Sequence, residues 1–186
     1  MGLVNILIIL AISWLVAVQA GVREDHLKEH NRLRSRHGCP PLQLDDKLSD
    51  DCEAYAKVLA TSQKLEHSDA AGKYGENLCM RSEEPLQCDQ MWYDEIEFYD
   101  FKNPGFSMET GHFTALVWKN SKTMGYGEAK DSQGRYWVVV RYYPAGNVNG
   151  QFDKNVPPRE GDKAGVSCTQ VQVNTILILI SLYLYL

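Results

Sequence analysis

Two apolar runs bracket the chain, and the stretch between them alternates apolar and polar positions. Residues 3–18 are apolar except for Asn5 and Ser13, and residues 176–186 read ILILISLYLYL. Between them, Val22, Leu27 and Leu33 stand sparsely among charges. This spacing predicts a surface helix over residues 22–36, with His26, His30 and Asn31 on its solvent side and His37 as another surface histidine. Gly38 and then Pro40-Pro41 end it. Leu48, Cys52, Tyr55, Ala56 and Leu59 recur at i, i+4, i+7, i+8 and i+11, so residues 46–63 predict a helix with a strong apolar stripe. Met91, Trp92, Ile96 and Tyr99 predict a third helix over residues 85–101, and residues 111–121 a shorter fourth.

The period then changes. Residues 124–129 and 135–143 read as strands on either side of Lys130-Asp131-Ser132-Gln133-Gly134. Tyr136-Trp137-Val138-Val139-Val140 has no polar alternation, which predicts a buried central strand. Residues 147–158, rich in Gly, Asn and Pro, read as a closing loop. Helices first and strands later predict an α+β fold with helices packed on a sheet.

Charge sharpens this outline. The chain has 186 residues, and all 19 Lys and Arg and all 24 Asp and Glu lie between Arg23 and Lys163. Uncharged ends of this kind belong to a protein handled by a membrane or exported. Residues 1–20 read as a signal peptide, with Val18-Gln19-Ala20 as the cleavage site. The run has no Lys or Arg ahead of it, and an uncleaved anchor is the alternative. Residues 21–160 then form one domain, and residues 161–186 a spacer and hydrophobic tail. The last eleven residues would rise only about 16 Å as a helix, roughly half a bilayer core. A GPI-attachment signal fits them better, with Asp162-Lys163-Ala164, Gly165 or Ser167 as attachment points. A short membrane segment and a tail packed on the domain are the other readings. The net charge of −5 gives no reason to expect nucleic acid as a partner.

There are five cysteines, Cys39, Cys52, Cys79, Cys88 and Cys168, an odd number for an exported chain. Removal of the tail before Cys168 leaves four, which allow three pairings. Proximity along the chain favours Cys39–Cys52 and Cys79–Cys88, without fixing the connectivity.

Four residues are of types that carry chemistry: His67 in LEHSD, Glu76 in YGENL, Glu95 in WYDEI and His112 in TGHFTALVW. Two imidazoles can ligate a first-row divalent ion, and carboxylates can ligate it or orient the rings. No compact motif links the four. Their spacing alone favours four separate surface or capping residues over one shared site. Ser68 adjoins His67, but one adjacent hydroxyl is not a triad.

GHFTALVWKNS (residues 111–121) and VVVRYYPAGNV (residues 138–148) resemble the two signature motifs of the CAP superfamily. That superfamily comprises cysteine-rich secretory proteins, antigen 5 and pathogenesis-related 1 proteins. HNRLRSRHGCPPL, EHSDAAGKYGENL and WYDEIEFYDF resemble further family segments in the same order. The likeness runs over residues 22–158. FTALVWKNS, RYYPAGNV and NVPP are most similar to the Golgi-associated plant pathogenesis-related subgroup. One departure from the second signature stands out: Val140-Arg141 occupies the place of a usual Cys-Asn pair.

The resemblance implies a three-layer α-β-α sandwich. It also implies a cleft lined by a tetrad that falls here on His67, Glu76, Glu95 and His112, with the two histidines able to bind a divalent metal ion, zinc foremost. It further implies an extracellular, non-enzymatic module that binds a sterol, a fatty acid or a protein partner, free or attached to the outer cell surface. A metal-dependent, protease-like hydrolase using Glu76 or Glu95 as base is the alternative, and a pure interaction role in immunity or reproduction a third. Tyr74, Tyr93, Phe98 and Phe113 are the candidate cleft aromatics.

Overall fold

A computed structural model describes residues 3–161. The elements are α1 (Leu3–Ser35), β1 (Gln43–Leu44), α2 (Asp46–Ser62), β2 (Gly75–Arg81), α3 (Gln87–Asp94), a 3-10 turn (Glu95–Phe98), α4 (Gly111–Val117), β3 (Thr123–Lys130), β4 (Tyr136–Tyr143) and α5 (Phe152–Asn155). The strands form one sheet in the order β1-β3-β4-β2. β1 runs parallel to β3, and the other two pairings are antiparallel. The expected α+β sandwich is therefore present, with β4 in the interior of the sheet. Val138, Val139 and Val140 are fully buried there.

Alternation along β4 divides the core in two. Trp137 and Val139 face α2 and pack with Cys52, Ala56 and Leu59, the stripe expected of that helix. Val138, Val140 and Tyr142 face the other way, into a larger cluster with Trp92, Phe113 and Trp118. α2 lies unusually close to β3. A Cβ built on Gly127 would sit 2.0 Å from Glu53 N, and one on Gly125 would sit 2.5 Å from Leu48 C. Only glycine admits this approach. Asp45 caps α2 by accepting from Leu48 N.

Four expectations are corrected. The first helix is not a surface helix with exposed histidines: His26, His30 and His37 are at most 1% exposed, as are Leu33 and Arg34. His26, His30, Leu33 and Arg34 share one face of α1, His37 lies in the turn just after it, and the polar members satisfy one another or the chain. Arg34 donates to the carbonyls of Pro40, Leu116, Trp118 and Ser121, so it pins α1 to α4 and the turn after it. The third helix breaks into α3 and the 3-10 turn, and Met91 is solvent-exposed while Trp92, Ile96 and Tyr99 are buried. β2 has no counterpart in the apolar pattern, because its buried positions include Glu76 and Asn77.

The fourth correction concerns the cysteines. Cys79 and Cys88 are joined, which fastens β2 to α3. Cys39 and Cys52 are not joined to each other. Cys39 Sγ lies 3.1 Å from Val117 O, whereas Cys52 lies on α2 and packs against Trp137 and Val139 of the sheet. Burial pushes the Cys52 thiol up to about 12, so it is inert.

α1 is continuous from Leu3 through the expected cleavage point at Ala20. Among the described residues, no helix is long and apolar enough to cross a membrane. The GPI reading and Cys168 fall outside the described residues.

Candidate functional site

Two His–Glu pairs flank the edge strand β2. The first joins the α2–β2 connection to the strand. His67 Nδ1 lies 3.0 Å from Glu76 Oε1, which also accepts from Ser68 N at 2.9 Å. The other carboxylate oxygen accepts from Ser68 Oγ at 2.6 Å and from Arg141 Nε at 2.8 Å. Arg141 faces Glu76 across the β2–β4 register, and its Nη2 donates to Ser68 Oγ at 3.0 Å. Its guanidinium lies over the Tyr55 ring. The Glu76 side chain is 1% exposed and that of His67 is 55% exposed. Burial alone would raise the Glu76 carboxyl, but hydrogen bonds from His67, Ser68 and Arg141 outweigh it and hold it down at about 2. The same hydrogen bond raises His67 above its ordinary value, against partial burial.

The second pair joins the 3-10 turn to α4. His112 Nδ1 lies 2.6 Å from Glu95 Oε1. Glu95 Oε2 accepts the backbone N–H of His112 at 2.9 Å and of Phe113 at 3.1 Å, donors that the first turn of a helix leaves unpaired. The His112 ring stacks on Trp92, with centroids 6.3 Å apart. Asn147, at φ 58°, fastens α4 from the far side. It accepts from Thr114 Oγ1 at 2.7 Å and donates to Gly111 O at 2.9 Å. The second motif thus buttresses the first.

In both pairs Nδ1 faces a carboxylate, which only accepts, so Nδ1 carries the proton and Nε2 of the neutral ring carries a lone pair. Carboxylate–imidazole pairs of this kind orient metal-ligating histidines. Two imidazoles of this tautomer suit a divalent ion such as zinc on donor chemistry. Among the described residues, no three His, Cys, Asp or Glu side chains converge on one ion position. Ser68 Oγ donates to Glu76 and accepts from Arg141, so His67 is not its base. A carboxylate held near 2 by three donors is itself a weak base.

The candidate aromatics divide evenly. Tyr93 and Phe113 are core residues. Tyr74 is half-buried against Tyr143, and Phe98 is 69% exposed. Sequence reasoning registered Arg141 only as a departure from a motif, and it gave no role to Ser68, Asn77 or Tyr142. A cation inside a buried strand was the available signal, since such a charge requires a buried acid.

The fold, helices packed on a mixed four-stranded sheet, is that of an α-β-α module. The chain belongs to the CAP family: the model described as "Cysteine-rich secretory protein family" matches residues 27–143. It is 46% identical over 141 residues to the human (Homo sapiens) "Golgi-associated plant pathogenesis-related protein 1", covering 72% of this chain and 92% of that one. It is 34% identical to "Pathogenesis-related protein 1A" of Nicotiana tabacum, covering 69% and 79%. Among solved structures, "Crystal structure of NaASP2 with Zn2+" shares the fold at a TM-score of 0.59 and 21% identity, covering 74% of this chain and 85% of that one. The Schistosoma mansoni venom allergen-like protein 4 structure does so at 0.59 and 18%, covering 75% and 97%.

Proposed function

We propose that this CAP module is a non-enzymatic extracellular binding protein, in which His67 and His112 together hold a divalent ion, zinc foremost. The observation that carries this reading is the common geometry of the two rings, each with Nδ1 against a buried or half-buried glutamate. A relative by fold was crystallised with Zn2+, which supports the choice of ion. When bound, zinc would supply Lewis acidity and an anchor for a ligand's oxygen or nitrogen atoms. The chain's own part is to keep both Nε2 atoms deprotonated and aimed. Calorimetric titration of zinc into the mature domain tests this. Wild type is expected to bind one ion, with at least tenfold weaker binding in each of His67→Ala and His112→Ala. Equal affinity in the double variant refutes the site.

The surface beside the second pair supports a reading of the ligand class. Phe98 (69% exposed) belongs to the same 3-10 turn as Glu95, and Phe106 (52%) packs against Gly111 next to His112. Met108 on the same connection is 83% exposed. We propose a lipid, a sterol or fatty acid, as the partner of this apolar rim. Co-sedimentation with neutral lipid vesicles is expected to fall at least fivefold in Phe106→Ser/Met108→Ser. No difference between variant and wild type counts against a lipid.

A further inference from the structure

One side chain connects the two halves of the site. Asn77 follows Glu76 on β2, and strand alternation turns it to the opposite face of the sheet. It is 1% exposed. Its Nδ2 donates to His112 O at 3.1 Å and to Tyr142 Oη at 3.2 Å. Its Oδ1 is buried with no partner among the described residues. A buried amide that leaves its acceptor unpaired is held for where its donors point, since an apolar residue would fill the space without that cost.

Tyr142 Oη is in turn held from behind. His30 Nε2 lies 2.9 Å from it, and His30 Nδ1 lies 2.9 Å from His26 O. A carbonyl only accepts, so the His30 proton is on Nδ1. In that tautomer Nε2 is an acceptor, and the Tyr142 hydroxyl is placed to donate to it. The Tyr142 oxygen is left free to accept from Asn77. Donation therefore runs in one direction, from Asn77 to Tyr142 to His30. At the far end, Asp89 Oδ2 lies 3.2 Å from His30 Nδ1 and 2.9 Å from His26 Nδ1, and it fixes the orientation of both rings. Tyr142 and His30 are fully buried.

We infer that Asn77, backed by Tyr142 and His30, is a positioning residue for His112 and sets the separation of the two imidazoles. The inference rests on the reading that His67 and His112 hold one ion together. Glu76 places His67, the next residue on the same strand places His112, and the two settings are covalently coupled. This gives a buried, partly unsatisfied amide a reason to be where it is.

Tyr142→Phe removes only the hydroxyl and is the sharpest test. Zinc affinity by calorimetry is expected to fall about tenfold, the lower end of outer-shell effects. Asn77→Leu is expected to fall similarly. The double variant is expected to be no worse than the weaker single one, because both act through one chain of bonds. Unchanged zinc affinity in both single variants overturns the inference. A second readout needs no metal: long-range proton–nitrogen NMR of the imidazole rings in the metal-free protein. Tyr142→Phe is expected to move the His30 and His112 ring resonances and leave those of His67 in place. His30 moving alone overturns the inference. If wild type binds no zinc, the shared-ion reading fails, and the NMR result still decides whether Asn77 positions His112.

Discussion

Glu76 and Glu95 each orient one histidine, yet they are fixed by different means. Glu76 is held mainly by side chains, those of Arg141 and Ser68, with a single backbone N–H, that of Ser68. Glu95 is held by the backbone, at the free N–H groups of a short helix. The first arrangement requires a buried cation in the right register. The second requires only that α4 begin where it does. The halves should therefore respond differently to substitution: the first through charge, the second through local helix geometry.

The largest expected effect is on the first half. Arg141→Gln leaves the Glu76 carboxylate buried without its cation and should cost about 3 kcal/mol, the usual result of breaking a buried pair from one side. Urea denaturation at neutral pH measures it. A loss under about 1 kcal/mol would mean that His67 and Ser68 suffice. Removing the tether between the halves comes next. Cys79→Ser/Cys88→Ser frees β2 from α3 and should cost about 2–3 kcal/mol on loop entropy. The disulfide variant should also weaken zinc binding, because Glu76 lies on β2 and Glu95 directly follows α3, the two segments it joins.

Glu95→Gln should cost about 1–2 kcal/mol, less than Arg141→Gln, since an amide oxygen still accepts from the helix N-terminus. If it costs more, the backbone cradle depends on charge and the contrast between the halves is wrong. pH probes the same contrast without substitution. Glu76 has an ordinary value of 4.5 and a folded value of about 2, so its stabilisation is complete above 4.5 and fades as pH falls toward 2. Urea midpoints should decline over that window in wild type and more shallowly in Glu76→Gln. His67 is shifted up, so its contribution is complete below its ordinary value and is lost as pH rises through the higher folded one. With His67 half-exposed, that alkaline change should be slight, and a large one would point to another group.

What the sequence revealed follows from what apolar periodicity can register. The α2 stripe and the valines of β4 were legible because their buried faces are apolar. The inner face of α1 and the turn after it were not, because they are built from His26, His30, Arg34 and His37, most of whose partners lie far away in the chain. β2 was missed for the same reason, since its buried start is Glu76 and Asn77. The four residues of the paired site were legible as a set only through motif resemblance, and their pairing as His67–Glu76 and Glu95–His112 required the fold. Cys39–Cys52 was misjudged because proximity along the chain says nothing about what each thiol packs against.

The central claim is that the two differently built halves present one imidazole each to one ion. X-ray absorption at the zinc edge of the metal-loaded protein tests this most directly. The account predicts outer-shell scattering from two imidazoles on zinc, reduced to one in His67→Ala and in His112→Ala. Scattering from one imidazole or none in wild type, or a spectrum unchanged by both substitutions, would contradict it.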